Sequence, residues 1–379
     1  MSAKTPFRVV CSACGREYEP ESLAWKCECG APLDVELDLE HASFELEALR
    51  NRVSSMWRYI ELIPLLDSEC VVSMGEGYTP MLSKRLGGVE VYLKLDYVNP
   101  TGSFKDRGAS AMISNLKALG VREVAVDSSG NAGAAIAAYS AAAGMRCRVF
   151  VPASAPLGKK IQIASYGAKL VEVKGSRERV HEAVLRELGG AVYASHMWNP
   201  FFIEGLKTLA YEYVEQVEEC PDAALLPVGS GGLLLGVYKG FRELRELGVT
   251  STVPRILAVQ AAGFTPVYEA LHGPYRARAS GPPLADGIAI PRPPRLTQVI
   301  EAVRESGGDA VVVEDHEILK AFRELARMGL FVEPTSATAL AALWKALDQE
   351  LVDRGETVYI PLTGIGLKAT DKLAGLLKR

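Results

Sequence analysis

Apolar and polar residues alternate with two different periods along this chain, and the order of the two periods suggests the architecture. From about residue 86 onward, short apolar runs of strand type are separated by longer stretches of helical spacing. VEVYLKL, EVAVDS, RCRVFVP, KLVEVKG and AVYASH read as strands in the first half, and AALLPVG, PRILAVQ, DAVVVE and TVYIPLTG in the second. Between them lie helical segments: SAMISNLKALG, AAIAAYSAAAG, SRERVHEAVLRELGG and one long helix, FFIEGLKTLAYEYVEQVEE. Strands alternating with helices imply parallel sheets wound on both sides. The strands are too many for one small sheet, so two α/β units are expected. Residues 35 to 70 read as a charged, amphipathic connector, and PRPPR near residue 293 as a rigid loop. No internal repeat is present.

Composition narrows the class. The chain has 379 residues, 23% charged, with a formal net charge of −4, which suits a soluble multi-domain protein and gives no footprint for a nucleic acid or membrane partner. No apolar run approaches the roughly 18 residues of a membrane span. The first residues, MSAKTPFRVV, lack a signal-peptide h-region. A cytoplasmic protein is therefore expected. Only five asparagines and five glutamines against abundant Glu and Arg fit a thermophilic source.

Four of the seven cysteines fall in one short segment. Cys11 and Cys14 form C-x2-C before Gly15, and Cys27 and Cys29 form C-x-C before Gly30. Two close pairs of this kind resemble a small zinc ribbon with four thiolate ligands and no position left open for catalysis. Disulfides are the competing reading, disfavoured in a reducing compartment. Cys70, Cys147 and Cys220 are scattered and read as packing residues.

In parallel α/β folds, ligands sit on the loops that leave the carboxyl ends of strands. Three such loops and one lysine stand out. NPTGSFKDRG, residues 99–108, puts Lys105 where a helix already supplies positive potential, although acidic residues favour that position. SSGNAG, residues 128–133, can turn sharply and offer N–H groups to an anion, or can be a plain turn with an Asn cap. GSGG, residues 229–232, opens a helix with bare amides, as a bound phosphate requires; it matches neither a P-loop nor a dinucleotide fingerprint. PLTGIGLK, residues 361–368, follows the last strand and turns Thr363 toward the same crevice. A lysine, an Asn in a glycine turn and a phosphate cradle together point to pyridoxal 5'-phosphate. A lysine beside positive potential has its pKa lowered, and the neutral amine is the form that makes a Schiff base.

These motifs, with VEPTSATALAAL, MGEGYTPM and CSACG…CECGAPL, make the chain similar to the threonine synthases, fold type II pyridoxal-phosphate enzymes of the tryptophan-synthase-β type. The resemblance implies two doubly wound α/β domains with a small N-terminal zinc ribbon: residues 1–35 as the ribbon, 36–116 plus 206–379 as the large domain, and 117–205 as the small one, with the cofactor in the cleft. It implies that Lys105 carries the cofactor, that Asn131 bonds its ring hydroxyl, that Gly229, Ser230, Gly231, Gly232 and Leu233 hold its phosphate, and that Thr363 faces its pyridine nitrogen. Ser128, Ser129 and Asn131 would meet the substrate carboxylate. A homodimer acting on a small amino acid is implied, converting O-phosphohomoserine and water to threonine and phosphate.

Some positions depart from that pattern. NPFFIEGLKT has Phe202 and Leu206 where the family has Arg and Gln, and TGIGLK has Ile365 where it has His. LADGIAI, residues 284–290, resembles the threonine and serine dehydratases of the same fold. A β-eliminating or β-replacing enzyme acting on another O-substituted amino acid, such as O-phosphoserine, is thus the competing reading. A regulatory homologue would be expected to lose Lys105, and a nucleic-acid-binding ribbon would be more basic. With Phe202 unable to bind phosphate, Lys159, Lys160, Lys207 and His196 are the candidate cations. Glu333 and Ser336 can line the crevice, with helix capping the alternative for Ser336.

Overall fold

The computed structural model describes residues 5–153, 155, 157–276 and 283–377. Near the N-terminus, β1 (Phe7–Cys11), β2 (Glu17–Tyr18) and β3 (Leu33–Leu37) form a small antiparallel sheet in the order β2-β1-β3. A hairpin follows, β4 (Met81–Leu86) and β5 (Val89–Lys94), joined at Gly87 and Gly88. β6 (Glu123–Val126), β7 (Arg146–Pro152), β8 (Lys169–Val173) and β9 (Val192–Tyr193) then make a four-stranded parallel sheet in the order β8-β7-β6-β9. β10 (Ala223–Pro227), β11 (Arg255–Ala261), β12 (Asp309–Val313) and β13 (Thr357–Pro361) join the hairpin in a six-stranded sheet, β12-β11-β10-β13-β5-β4, parallel except for β4.

The chain divides into two compact units. One runs up to Tyr78 and resumes over Asn99–Thr208; the other comprises Thr79–Val98 and the chain from Leu209 on. Residues 36–78 and 99–116 thus group with the four-stranded sheet and the ribbon. The second unit's core is the apolar layer that the run pattern predicts: Val89, Val91 and Leu93 with Leu225, Leu257, Val311 and Ile360, all essentially inaccessible. Strands buried on both faces read as continuous apolar runs, which is why β10 to β13 are plain in the sequence.

Three segments differ from the sequence expectation. β4 was unmarked because Ser83, Lys84 and Arg85 face solvent on an edge strand, where charge blocks further pairing. The expected long helix is two, Pro200–Leu206 and Thr208–Val217. At the break the Thr208 hydroxyl donates to the Gly205 carbonyl (2.7 Å) and accepts from the Arg107 guanidinium (2.9 Å). Such back-bonding bends helices. Residues 35–70 are more than a connector: Met56, Trp57, Ile63 and Leu65 pack with Ala111 of the Lys105–Ala118 helix. Their short 3-10 turns have no period for a pattern search to find.

Candidate functional site

The loop before Lys105 is folded by its own polar groups. The Gly102 amide donates to the Asn99 carbonyl (2.7 Å), closing a turn. The buried Asp106 carboxylate accepts from the Thr101 amide (2.6 Å) and from the Thr101 hydroxyl. The acidic residue that a helix start favours is therefore committed to holding the loop. Lys105, the first residue of the Lys105–Ala118 helix, is half-buried. Its Nζ lies 4.2 Å from the Phe104 ring centroid and 5.9 Å from that of Phe202. An aromatic face attracts a cation but supplies no proton acceptor.

Among the buried polar atoms of this unit that have no hydrogen-bond partner among the described residues are Ser103 Oγ, two residues before Lys105, and His196 Nδ1. Burial, then the charges of Lys105 and Arg177, hold the His196 pKa well below the usual histidine range. Burial therefore disfavours the charged form that His196 would need as a phosphate-binding cation. Buried polar atoms are normally satisfied, and both of these suit a polar ligand beside Lys105.

The Ser128–Asn131 loop leaves β6. The helix cap is Gly130, and Asn131 is the first helical residue, so the plain Asn-cap reading does not hold. A Cβ at Gly133 would lie 1.9 Å from the Ser128 carbonyl oxygen, so the helix rests directly on the loop backbone. Ser128, Ser129 and Asn131 are half-buried and line this turn.

The second unit carries the glycine cradle. Gly231 caps the Gly232–Glu246 helix with φ +92°, and among the described residues no side-chain cap bonds its start. An L-residue strains at that angle, and its Cβ would meet Val299 Cγ2 at 2.5 Å. A Cβ at Gly229 would lie 3.0 Å from Ile288 Cα and 3.1 Å from the Gly287 oxygen. LADGIAI is therefore the wall behind the cradle, a structural role that its sequence resemblance alone did not show. The Gly287 amide is in turn bonded to Thr335 Oγ1 (3.2 Å). Ser230, Gly232 and Leu233 are buried. Uncapped amides at the start of a 15-residue helix, walled by close-packed backbone, suit a phosphate. The buried Arg295, which sequence reasoning missed, stands behind Gly231 and donates to Gln298 (2.9 Å).

Thr363 follows β13 and is buried. Its hydroxyl is 2.9 Å from Ser336 Oγ, which also accepts from the Gly364 amide (2.9 Å). Ser336 therefore orients the Thr363 loop rather than capping its own helix, whose cap is Glu333. A Cβ at Gly364 would lie 2.3 Å from Glu333 Oε1, so Glu333 lies against the same loop. Ile365 forms an antiparallel bridge with Val332.

The four ribbon cysteines converge. All four Sγ atoms lie within 4.8 Å of one another, with Cys11 to Cys29 at 3.5 Å and Cys14 to Cys27 at 3.7 Å. Thiolates at about 2.3 Å from a tetrahedral zinc stand about 3.8 Å apart, so this donor set fits the metal. Gly15 and Gly30 close the two knuckles with φ +70° and +91°. Burial raises Cys70, and pushes Cys147 to about 12 and Cys220 to about 11, which disfavours the reactive thiolate form of all three.

Phe202, at the position where an arginine was expected, is fully buried; its ring lies against Gly108, where a Cβ would stand 2.4 Å from it. Among the candidate cations, Lys207 is buried in an ion pair with Glu204 (2.7 Å), and Lys160 pairs with Glu172 (3.0 Å) and the Ala153 carbonyl.

Glu76 is a further missed residue. Its carboxylate accepts from Trp57 Nε1 (2.9 Å), the Met74 amide (2.8 Å) and Tyr139 (2.8 Å). Trp57 also donates to Ser110 on the Lys105 helix (2.9 Å). The only signal was its place in MGEGYTPM.

Comparison with known proteins places these parts in context. The profile of the pyridoxal-phosphate-dependent enzymes matches residues 72–364. Threonine synthase of Methanocaldococcus jannaschii is 38% identical, covering 95% of this chain and 93% of the relative. That of Methanosarcina acetivorans is 36% identical, covering 96% and 92%. Among solved structures, maize serine racemase superposes with a TM-score of 0.67 at 25% identity, over 79% of this chain and 92% of the racemase.

Proposed function

Because the chain belongs to the threonine synthase family of pyridoxal-phosphate-dependent enzymes, we propose that it converts O-phosphohomoserine and water to threonine and phosphate. The observation that carries the reading is Lys105 at its helix start, beside two aromatic rings, with its neighbouring carboxylate bonded to Thr101. Pyridoxal phosphate supplies an electron sink for a carbanion at the substrate Cα. The chain's own residues do the rest.

Lys105 would hold the cofactor, and its amine would serve as the general base that moves protons at Cα and Cβ. The Gly229–Leu233 amides would hold the cofactor phosphate, and Asn131 its ring hydroxyl. Thr363, its hydroxyl held by Ser336, would face the ring nitrogen as a neutral partner, which suits elimination and replacement rather than transamination. Ser128, Ser129 and Asn131 bind the substrate carboxylate. The leaving phosphate departs from Cγ, which takes up a proton to become the methyl group, and water adds its hydroxyl at Cβ and its proton at Cα. His196, its charged form disfavoured by burial, contributes a hydrogen bond. Zinc, in this reading, is held by Cys11, Cys14, Cys27 and Cys29 as a structural ion.

The test is an assay of the purified holoenzyme with O-phosphohomoserine, threonine, serine and O-phosphoserine, following phosphate, ketoacids and amino acids. Threonine and phosphate from O-phosphohomoserine alone are expected. Ketoacid from threonine or serine, with no turnover of O-phosphohomoserine, would replace this reading by a dehydratase.

A further inference from the structure

The ribbon does more than sit beside the fold. Phe7 of β1 packs edge-on against Phe201, centroids 5.9 Å apart, on the helix that carries Phe202. Trp25, two residues before Cys27, makes edge contacts with three rings of the unit: Tyr193 (5.1 Å), Trp198 (5.2 Å) and His181 (6.5 Å). A tryptophan packed edge-on among aromatic rings gains from both its area and its ring geometry.

What lies under Trp25 is polar. The Tyr193 hydroxyl donates to Asp127 Oδ1 (2.7 Å), and His181 Nδ1 lies 2.9 Å from Asp127 Oδ2. Asp127 is nearly inaccessible, its side chain 5% exposed, and it immediately precedes Ser128. Two bonds to its two oxygens fix the direction in which the chain leaves β6 and enters the Ser128–Asn131 loop. Tyr193 is itself on β9, whose Ala125↔Tyr193 pairing docks it beside β6. Burial, then the charge of Asp127, raises the Tyr193 pKa, which keeps its hydroxyl a donor.

We propose that Trp25 is a positioning residue for the substrate-binding loop, acting through Tyr193, His181 and Asp127, so that metal in the ribbon and order in the Ser128–Asn131 loop are thermodynamically linked. The step from loop order to substrate affinity rests on the function proposed above; the step from Trp25 to loop order does not. Trp25 and Cys27 are two residues apart. Tying down Cys27 therefore restricts where the indole can lie, and an untied ribbon lets it leave the Tyr193 and His181 rings. Water then reaches the Asp127 bonds, which weaken as they become solvent-exposed. Linkage of this kind is reciprocal: loop ligands must tighten metal binding by the factor by which metal tightens theirs.

The experiment uses the full-length, zinc- and cofactor-loaded enzyme, with Trp25→Ala, Trp25→Phe and the parent after zinc removal by chelator. Two readouts are taken: hydrogen exchange of the amides of residues 128–134, and KM against kcat for O-phosphohomoserine. Trp25→Ala and zinc removal are both expected to speed exchange in that loop about tenfold, with β7 and β8 unaffected, and to raise KM severalfold with kcat within about twofold. Trp25→Phe, which keeps an aromatic ring there, should recover most of both effects. Unchanged loop exchange in Trp25→Ala would overturn the proposal, as would exchange that rises equally across the whole unit. Faster loop exchange in an enzyme inactive on O-phosphohomoserine would uphold the coupling and overturn only the substrate assignment.

Discussion

Gly108 lies three residues past Lys105 on the same helix, and its substitution by alanine is a sharp probe of how that helix is held. A Cβ there would stand 2.4, 2.5 and 2.7 Å from three ring carbons of Phe202. Ordinary carbon contact is about 3.5–4.0 Å, so the overlap exceeds about 0.8 Å at each. Alanine regains about 1 kcal/mol of helix propensity over glycine, while overpacking a closed core costs about 1–3 kcal/mol. Phe202 is fully buried and its ring cannot swing into solvent. Moving the two helices apart would also break the close backbone approach at Gly205, where a Cβ would lie 2.1 Å from the Arg107 carbonyl oxygen. The cost should therefore win, leaving Gly108→Ala destabilised by about 1–2 kcal/mol. Phe202→Leu removes the offending ring atoms at a cost of about 1 kcal/mol. The double variant should be more stable than the sum of the singles by at least about 1 kcal/mol, as contacting residues generally couple. Denaturant midpoints and m-values at fixed saturating cofactor read this directly, because bound cofactor shifts apparent stability. The absorbance of bound cofactor reports whether Lys105 has moved. Additive energies, or a stabilised Gly108→Ala, would refute the idea that the Phe202 ring is the wedge between these helices.

Other perturbations follow from the same geometry. Lys105→Ala should abolish the yellow colour of bound cofactor, and borohydride should fix cofactor on Lys105 in the parent; retained colour in the variant would remove that lysine from its role. Replacing Cys11 and Cys14 with Ser should lower metal content from one ion per chain and reduce thermal stability while sparing the cofactor spectrum, and a spectrum that collapses with the metal would count against a structural ion. The bond to Asp127 is the largest cause of a raised His181 pKa, with Glu182 adding to it and burial and Lys26 opposing. A raised folded value means that the pair's stabilisation is full below the unfolded value of about 6.5 and is lost as pH rises through the folded one. The melting-temperature advantage of the parent over His181→Asn should therefore shrink from pH 5.5 to pH 9, an advantage growing with pH being the contrary result.

Much of the candidate site was legible because cofactor binding is written in backbone. Gly229 and Gly231 are required by close approach and by a positive φ, and such requirements leave glycine in the sequence as a visible mark. The ribbon was legible for a similar reason: metal geometry dictates cysteine spacing. Lys105 stood out because a cation at a helix start contradicts the helix dipole. What escaped was carried by long-range side-chain pairing. Glu76 meets Tyr139 across 63 residues, and Asp127 meets His181 across 54, with no local pattern to announce either. The irregular layer at residues 35–70 escaped because 3-10 turns have no hydrophobic period to detect.

The same division explains why the phosphate-binding arginine is absent without an obvious replacement. Phe202 faces Gly108 rather than open space, so the position is a packing site in this chain, and an arginine there would bury an unpaired guanidinium at a cost of several kcal/mol. Lys207 is already paired with Glu204 and closed from solvent, and burial disfavours charge on His196. Lys160 donates to Glu172. The positive charges of Lys105 and Arg177 both reach His196. Phe202→Arg tests the substrate reading: it should lower stability and leave turnover of O-phosphohomoserine no better than in the parent. If the parent is inactive on that substrate and activity emerges only with the introduced guanidinium, the parent works on a different leaving group, and the assignment to O-phosphohomoserine fails while the cofactor chemistry of Lys105 stands.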